Sequence, residues 1–138
     1  RSAGSIARCS QIGRVGYSVA HVGRRLSVVF GHSMCGAVQA TLDELAKPSG
    51  SLSPGLQKIV DGIGPAVQPV LKSPAAEERQ KLVREAVRAN VRATVADLVK
   101  NSEILANLVA DEGLMIVGAE YSLQTGAVEF FDGPTQVA

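Results

Sequence analysis

Residues 26–36 read LSVVFGHSMCG, and this stretch decides both the fold and the candidate chemistry of the chain. Its first five residues form a short β-branched and aromatic run that ends at a glycine, a pattern typical of a buried strand. The turn that follows holds His32 and Cys35 between two glycines, and helical spacing of apolar residues resumes directly after it. Because sites in open α/β sheets form where strands end and helices begin, this turn is the candidate functional site.

The apolar spacing on either side of the turn predicts further helices and strands. The predicted helices cover 12–25, 37–47, 56–71, 75–100 and 103–111, and the predicted strands cover 26–30, 114–119 and 127–131. Strands that are linked through helices are most simply parallel, whereas the last two are close enough to form a hairpin. We therefore expect an α/β fold, with a mostly parallel β-sheet flanked by helices and an antiparallel C-terminal edge strand.

Turn and capping residues refine these boundaries. Gly23 suits the end of the first helix, Ser102 can cap the last helix, and Gly113 can end it. The residues expected to break 56–71 into kinked helical turns are Gly62, Gly64, Pro65 and Pro69. Residues 1–10 and 48–54 should be loops.

The longest predicted helix, 75–100, has the strongest apolar stripe in the sequence. We expect Glu77 and Glu78 in its first turn, where the helix dipole favours acidic residues. The charges of 77–92 are interpreted as the solvated face of this helix.

The composition of the whole chain limits the function classes. At 138 residues the chain is one domain, and 46% of its residues are hydrophobic, with no Trp. A net charge of +1 argues against a nucleic-acid partner, which requires a basic surface. No apolar run is long enough to span a bilayer, so we expect no membrane partner. Two cysteines cannot form a disulfide framework, which favours the cytoplasm or another reducing compartment, such as an organelle or a microcompartment interior.

Three interpretations of His32 and Cys35 follow from the residues alone. An imidazole and a thiolate are good zinc ligands, and a helix N-terminus favours the thiolate. However, His-x-x-Cys supplies only half of a tetrahedral site, so a buried structural Cys35 beside an exposed His32 is an equally valid interpretation. A redox-active or nucleophilic Cys35 is the third. His21 is interpreted as a half-exposed surface or interface residue, and Cys9 as a small buried or semi-exposed residue, rather than as ligands.

Several segments in the same order resemble the β-class carbonic anhydrases. Residues 31–37, GHSMCGA, resemble the zinc-binding segment of that family, and 1–5, RSAGS, resemble its Arg-Asn-Ala-Gly-Asn stretch. Residues 17–19, YSV, resemble its Tyr-Ala-Val, and 116–128, IVGAEYSLQTGAV, follow its C-terminal pattern. Further positions that follow the family pattern are Asn90, Val91, Ser102, Ile104, Leu105 and Leu108.

The resemblance implies a function and a set of site residues. Family members are lyases that bind zinc through two Cys and one His and reversibly hydrate carbon dioxide to bicarbonate by attack of zinc-bound hydroxide. His32 and Cys35 match the zinc-ligating His and second Cys. Tyr17 and Gly36 match positions that line the substrate pocket, which forms at a dimer interface. The resemblance thus implies Zn²⁺ as cofactor, and a homodimer or a dimer-based higher oligomer.

The chain departs from the family at one motif. The first zinc Cys and an Asp-Arg pair come from a Cys-x-Asp-x-Arg motif upstream of the Arg-Asn-Ala-Gly stretch, and this sequence contains no such motif. We therefore assign no catalytic residue, and Cys9 is not accepted as a substitute ligand.

We expect 1–138 to be a single domain, about the C-terminal two-thirds of a β-carbonic anhydrase. A missing N-terminal segment would then complete the sheet and the zinc site, and without it strand 26–30 exposes one edge. Two alternatives remain open. One is a catalytically inactive carbonic-anhydrase-like structural or assembly module. The other is a related zinc enzyme acting on a small triatomic substrate such as carbon disulfide.

Overall fold

The structure is a computed structural model that describes residues 4–131. Its elements in chain order are α1 (Cys9–Val22), β1 (Leu26–His32), α2 (Gly36–Ala46), α3 (Pro54–Val67), α4 (Arg79–Lys100), α5 (Glu103–Asp111), β2 (Met115–Tyr121) and β3 (Val128–Phe130). Two short 3₁₀ helices, Gln68–Lys72 and Pro74–Glu77, connect α3 to α4. The first three residues of the RSAGS stretch and the tail from Asp132 lie outside the described residues.

The three strands form one mixed sheet in the order β1-β2-β3. β1 and β2 are parallel, with Leu26 opposite Met115 and His32 opposite Tyr121. β2 and β3 are antiparallel, with Ala119 opposite Phe130. The predicted α/β class and the antiparallel last strand are therefore confirmed.

One face of the sheet packs closely against α4. Successive residues of a strand point to opposite faces, and the register of β1 and β2 puts Gly31 and Gly118 on the same face. A Cβ atom on Gly31 would lie 2.8 Å from methyl carbons of both Val87 and Val91, too close for any substitution without movement. The absence of side chains at these two positions lets the long helix approach the sheet where β1 ends.

The opposite face of the sheet is largely uncovered among the described residues. We call it the open face, and its most exposed apolar residues are Leu26, Phe30, Met115, Tyr121, Val128 and Phe130. Val117 and Ala119, in the central strand of the same face, are buried. The open face therefore combines a buried centre with an exposed apolar rim.

Local signals set several element ends as predicted. Gly23 follows α1 with a φ of +68°, and Gly113 follows α5 with a φ of +69°, conformations that glycine adopts without strain. The Ser102 hydroxyl accepts a hydrogen bond from the backbone N–H of Leu105, at 3.3 Å. The predicted bounds of α5 are confirmed.

The prediction that 56–71 breaks into kinked turns was wrong over most of its length. α3 is one helix of 14 residues, and Pro65 lies inside it. Ile63 and Val67 are completely buried, and Gly62 packs against Ile6, where a Cβ atom would lie 2.9 Å from the Ile6 side chain. Burial of this face outweighs the single backbone hydrogen bond that Pro65 removes near the helix end.

Two other predicted boundaries were wrong. α4 begins at Arg79, so Glu77 and Glu78 precede it instead of forming its first turn. Pro74 starts a separate 3₁₀ helix, which uses the residues expected to open α4. Cys9 begins α1 instead of lying in a loop, because the Gln11 side chain accepts a hydrogen bond from the Arg8 backbone N–H at 2.8 Å. Within 4–131, none of the helices is long and apolar enough to cross a bilayer.

Candidate metal centre

The turn after β1 reverses the chain within three residues. Met34 has a φ of +56°, and it is the one non-glycine residue with positive φ that the structure records in 4–131. Two bonds anchor the turn to the end of β2: the Ser33 N–H donates to Tyr121 O, and the Leu123 N–H donates to Ser33 Oγ, each at 2.9 Å. This geometry lets Cys35, at the start of α2, return towards the end of β1.

A backbone carbonyl supports the imidazole of His32. The Nδ1 atom of His32 lies 3.0 Å from the backbone oxygen of Ser33. A carbonyl oxygen only accepts hydrogen bonds, so the neutral tautomer that fits this contact has its proton on Nδ1 and its lone pair on Nε2. A backbone carbonyl on one imidazole nitrogen is the usual support for a histidine that ligates a metal through the other.

Cys35 occupies the N-cap position of α2 and is only 6% exposed. The side chain therefore lies at the first turn of α2, directly after the left-handed Met34. The thiol is free, as is that of Cys9, which is exposed at the start of α1.

A cavity of about 70 Å³ brings the two candidate ligands together. The residues that line it are Gly4, Ser5, Phe30, Gly31, His32, Cys35, Val38, Val87, Asn90 and Val91. Valine side chains from α2 and α4 form the apolar part of its wall, while His32 and Cys35 contribute nitrogen and sulfur donors. The structure thus places the exposed His32 and the buried Cys35 in the lining of one small cavity.

Ser5, which sequence analysis did not single out as a site residue, forms part of the cavity wall. Its hydroxyl donates to the backbone oxygen of Phe30 at 2.9 Å, next to the end of β1. Its carbonyl oxygen accepts from Asn90 Nδ2 at 3.2 Å and from the hydroxyl of Thr94. The available signal was the pair of polar residues, Asn90 and Thr94, at i and i+4 within the apolar stripe of α4.

The two predicted substrate-binding residues lie outside this cavity lining. Tyr17 is 63% exposed on α1, and its ring stacks on His21 with 4.5 Å between the ring centroids. Gly36 is exposed at the start of α2, and a Cβ atom there would meet nothing within 4 Å. Within the single chain, the structure brings together His32 and Cys35 but neither of these positions.

The donor set fits half of a tetrahedral zinc site. Over 4–131, no group of three or more His, Cys, Asp or Glu side chains is arranged to hold a metal ion. His32 and Cys35 carry a nitrogen and a sulfur donor of the kinds that bind zinc, and structural zinc sites use four such donors. Cys9, on a different element, does not join them.

Arginines of α4 and glutamates of β2 and β3 form a second cluster, which corrects the expectation that the charges of 77–92 are a solvated face. Arg88 is 13% exposed at its side chain and lies 2.8 Å from Glu120 Oε2 and 2.7 Å from Glu129 Oε2. Arg84 is also 2.7 Å from Glu129. The charges of 77–92 therefore include one largely buried ion pair to the sheet, Arg88–Glu120, and are not only a solvated face. The Arg88 and Arg84 guanidinium groups hold the pKa of Glu129 below its ordinary value of 4.5.

Comparison with known sequences gives a consistent result. The sequence profile of the family described as "Carbonic anhydrase" matches residues 1–128. A carbonic anhydrase of Mycolicibacterium smegmatis is 36% identical over 132 residues, which cover 94% of this chain and 60% of that protein. Carbonic anhydrase 2 of Mycobacterium tuberculosis is 33% identical over 129 residues, covering 91% of this chain and 58% of its own length. The chain thus spans about 60% of the length of these relatives.

Solved structures show the same fold. A tetrameric β-carbonic anhydrase of Sordaria macrospora superposes with a TM-score of 0.77 at 19% identity, covering 96% of this chain and 64% of that one. A β-carbonic anhydrase of Coccomyxa, solved with acetazolamide, has a TM-score of 0.66 at 25% identity and covers 90% and 54%.

Proposed function

Because this chain belongs to the β-class carbonic anhydrase family, we propose that it is the major part of a zinc enzyme that reversibly hydrates carbon dioxide to bicarbonate and a proton. The observation that carries this proposal is the small cavity shared by His32 and Cys35 at the end of β1.

The size of the cavity supports a very small substrate. Its volume of about 70 Å³ exceeds the roughly 10–15 Å³ that a single water molecule needs on the same measure. Pockets for drug-sized ligands are about 300–1,000 Å³. A triatomic molecule fits a space of this size.

The residues that would hold zinc are His32, through Nε2, and Cys35, through Sγ. When bound, zinc supplies a Lewis acid that lowers the pKa of water to about 7, which makes a nucleophile available near neutral pH. The Ser33 carbonyl orients the imidazole, and the turn places Cys35 at the N-terminus of α2. Val38, Val87 and Val91 offer an apolar wall to a substrate that carries no charge.

The rest of the site would come from outside the described residues. We propose that 1–138 is one domain, about the C-terminal two-thirds of the enzyme, and that a preceding segment supplies the first zinc Cys and the Asp-Arg pair. We also propose an oligomer built from dimers, since the Sordaria relative is tetrameric. Tyr17 and Gly36 would then line the pocket at a subunit interface, where the exposure of Tyr17 on α1 leaves it free to contact a neighbour. Two free cysteines favour the cytoplasm or another reducing compartment.

The experiment that tests the proposal is native mass spectrometry combined with stopped-flow carbon dioxide hydration. We expect zinc bound per chain, and hydration above the spontaneous rate when the chain is expressed with the preceding segment. Metal-free chains with no hydration in either form would instead support the catalytically inactive assembly module. Hydrolysis of carbon disulfide in place of hydration would identify the related enzyme class.

A further inference from the structure

We propose that Asn90 and Thr94 of α4 are positioning residues, which hold the Ser5 carbonyl and thereby fix the wall of the cavity between His32 and Cys35. The inference deepens the proposed function and rests on it, because the cavity wall is relevant to catalysis only if the cavity holds zinc and substrate. The two residues reach the site through Ser5 and are not proposed to bind the substrate themselves.

Both side chains are polar residues in a buried part of α4. Asn90 is 4% exposed and Thr94 is 8% exposed, between Val87, Val91 and Val95 of the apolar stripe. Buried polar groups are destabilising unless they form hydrogen bonds. Asn90 Nδ2 donates to the carbonyl oxygen of Ser5, which has two lone pairs, and the Thr94 hydroxyl contacts both that oxygen and, at 2.9 Å, the carbonyl oxygen of Asn90 in its own helix. Asn90 and Thr94 therefore restrain the segment that contains Ser5.

Ser5 also forms a hydrogen bond to β1. Its hydroxyl donates to Phe30 O at 2.9 Å, so Ser5 links α4 to the strand that ends in His32. Gly4, the preceding residue, has a φ of +64°, and a Cβ atom there would lie 2.5 Å from the side chain of the fully buried Ile63. The segment is fixed by hydrogen bonds on one side and by close packing on the other.

The consequence is a fixed wall beside the two candidate ligands. Gly4 and Ser5 line the same cavity as His32 and Cys35. If Ser5 loses its donors on α4, the segment can separate from β1, and the opening of the cavity to solvent then widens. Cys35, which is 6% exposed with the wall in place, becomes accessible to reagents in solution.

The test measures how fast iodoacetamide alkylates Cys35 in metal-free protein. The background is Cys9→Ser, which removes the exposed thiol and leaves Cys35 as the reporter. Thr94→Val replaces the hydroxyl with a methyl group of similar size, and we expect alkylation to become about tenfold faster, as the loss of one buried hydrogen bond allows. Thr94→Ser retains the hydroxyl and should stay within about twofold of the background rate.

Thr41→Val is the matched control. Thr41 is fully buried on α2, and its hydroxyl donates to Ala37 O at 2.8 Å, within its own helix. This variant loses a buried hydroxyl without affecting Ser5, so the alkylation rate should not change. Equal acceleration in Thr41→Val and Thr94→Val would mean general loosening and would overturn the proposal, as would an unchanged rate in Thr94→Val.

A second readout connects the wall to the metal. In cobalt-substituted protein, the thiolate-to-cobalt absorption band reports the geometry around Cys35, and we expect it to shift in Thr94→Val and to be restored in Thr94→Ser. The two proposals can fail separately. If the wild-type chain binds no cobalt or zinc, the proposed function fails, while the alkylation rates still decide whether Asn90 and Thr94 hold the wall.

Discussion

At the residue scale, Met34 bears the conformational cost of bringing the candidate ligands together. Its φ of +56° lies in the left-handed region, which costs an L-residue roughly 1–2 kcal/mol. Its side chain is 61% exposed, so burial offsets little of that cost. The strain therefore sits directly between His32 and Cys35, where a tight reversal of the chain is needed.

Replacing Met34 tests this assignment. Met34→Gly should stabilise the metal-free fold by about 0.5–1 kcal/mol, since relief of the left-handed strain exceeds the added entropy of glycine in the unfolded chain. Urea unfolding measures the change. Met34→Ala keeps the Cβ atom and should bring no such gain. Equal stabilisation by both variants would show that the side chain, and not the backbone conformation, is the source.

The two cysteines should differ completely in their effect on zinc. Cys35→Ala removes a donor from the cavity and should abolish zinc retention, whereas Cys9→Ser should leave the zinc content unchanged, because Cys9 is exposed on a different element. Elemental analysis of the dialysed variants measures both. Normal zinc in Cys35→Ala would refute the ligand assignment, and zinc loss in Cys9→Ser would identify Cys9 as a third ligand.

The sequence was sufficient to propose His32 and Cys35 as candidate ligands because they are close in sequence and lie in a recognisable turn. Ser5 could not be identified in the same way, since its contact with Asn90 spans 85 residues. Local patterns do not encode which distant backbone oxygen a buried amide will meet. The left-handed conformation of Met34 was also unpredictable, because methionine rarely adopts it.

At the element scale, β3 depends on charge more than on burial. It has three residues, all exposed, and is the outer strand of the sheet in the described chain. Glu129 at its centre pairs with Arg84 and Arg88 of α4, and Glu120 of β2 pairs with Arg88. The ion pairs therefore attach the terminal strand to the long helix.

Acid should weaken this attachment. Because the folded-state pKa of Glu129 is lowered, its contribution to stability is complete above a pH of about 4.5 and is lost as the pH falls through the lowered value. Glu129→Gln should therefore be less stable at neutral pH and should lose less stability on acidification. Urea midpoints at a series of pH values measure both effects. Glu85→Gln, at an exposed position on α4, is the control and should retain the wild-type acid dependence.

Element boundaries were predictable where local chemistry sets them. Ser102 and Gly113 define α5, and each acts through its own side chain or backbone conformation. Pro65 was misleading because its local effect competes with the burial of Ile63 and Val67, which depends on other elements. The ion pairs of Arg88 could not be predicted for the same reason, because the sequence around an arginine in a charged run does not indicate which strand the arginine contacts.

At the scale of the whole molecule, the sheet of residues 4–131 has an unpaired edge at β1 and an exposed open face. Among residues 4–131 no strand pairs with the outer edge of β1, although Ser5 caps one carbonyl there. The open face presents Leu26 and Phe30 next to that edge, each about half exposed. Unpaired edges and contiguous apolar patches favour association between molecules.

We expect the isolated chain to self-associate as its concentration rises. Phe30→Lys places a charge on the open face beside the edge and should reduce light scattering at high concentration. Ile104→Lys is the control, because Ile104 is similarly exposed, at 56% against 51% for Phe30, but lies on α5. A monodisperse wild-type chain, or equal improvement by both variants, would contradict a specific role for the sheet.

The parallel pairing of β1 and β2 also governs the order of events during synthesis. Leu26 pairs with Met115, so nearly all of the described chain must leave the ribosome before the central strand pair can form. Contacts between residues so distant in sequence make folding slow and leave the early strand unprotected meanwhile. The nascent chain thus carries an unpaired strand and a ligand turn that still lacks its two hydrogen bonds to the end of β2, and its dependence on chaperones is greatest just before β2 emerges.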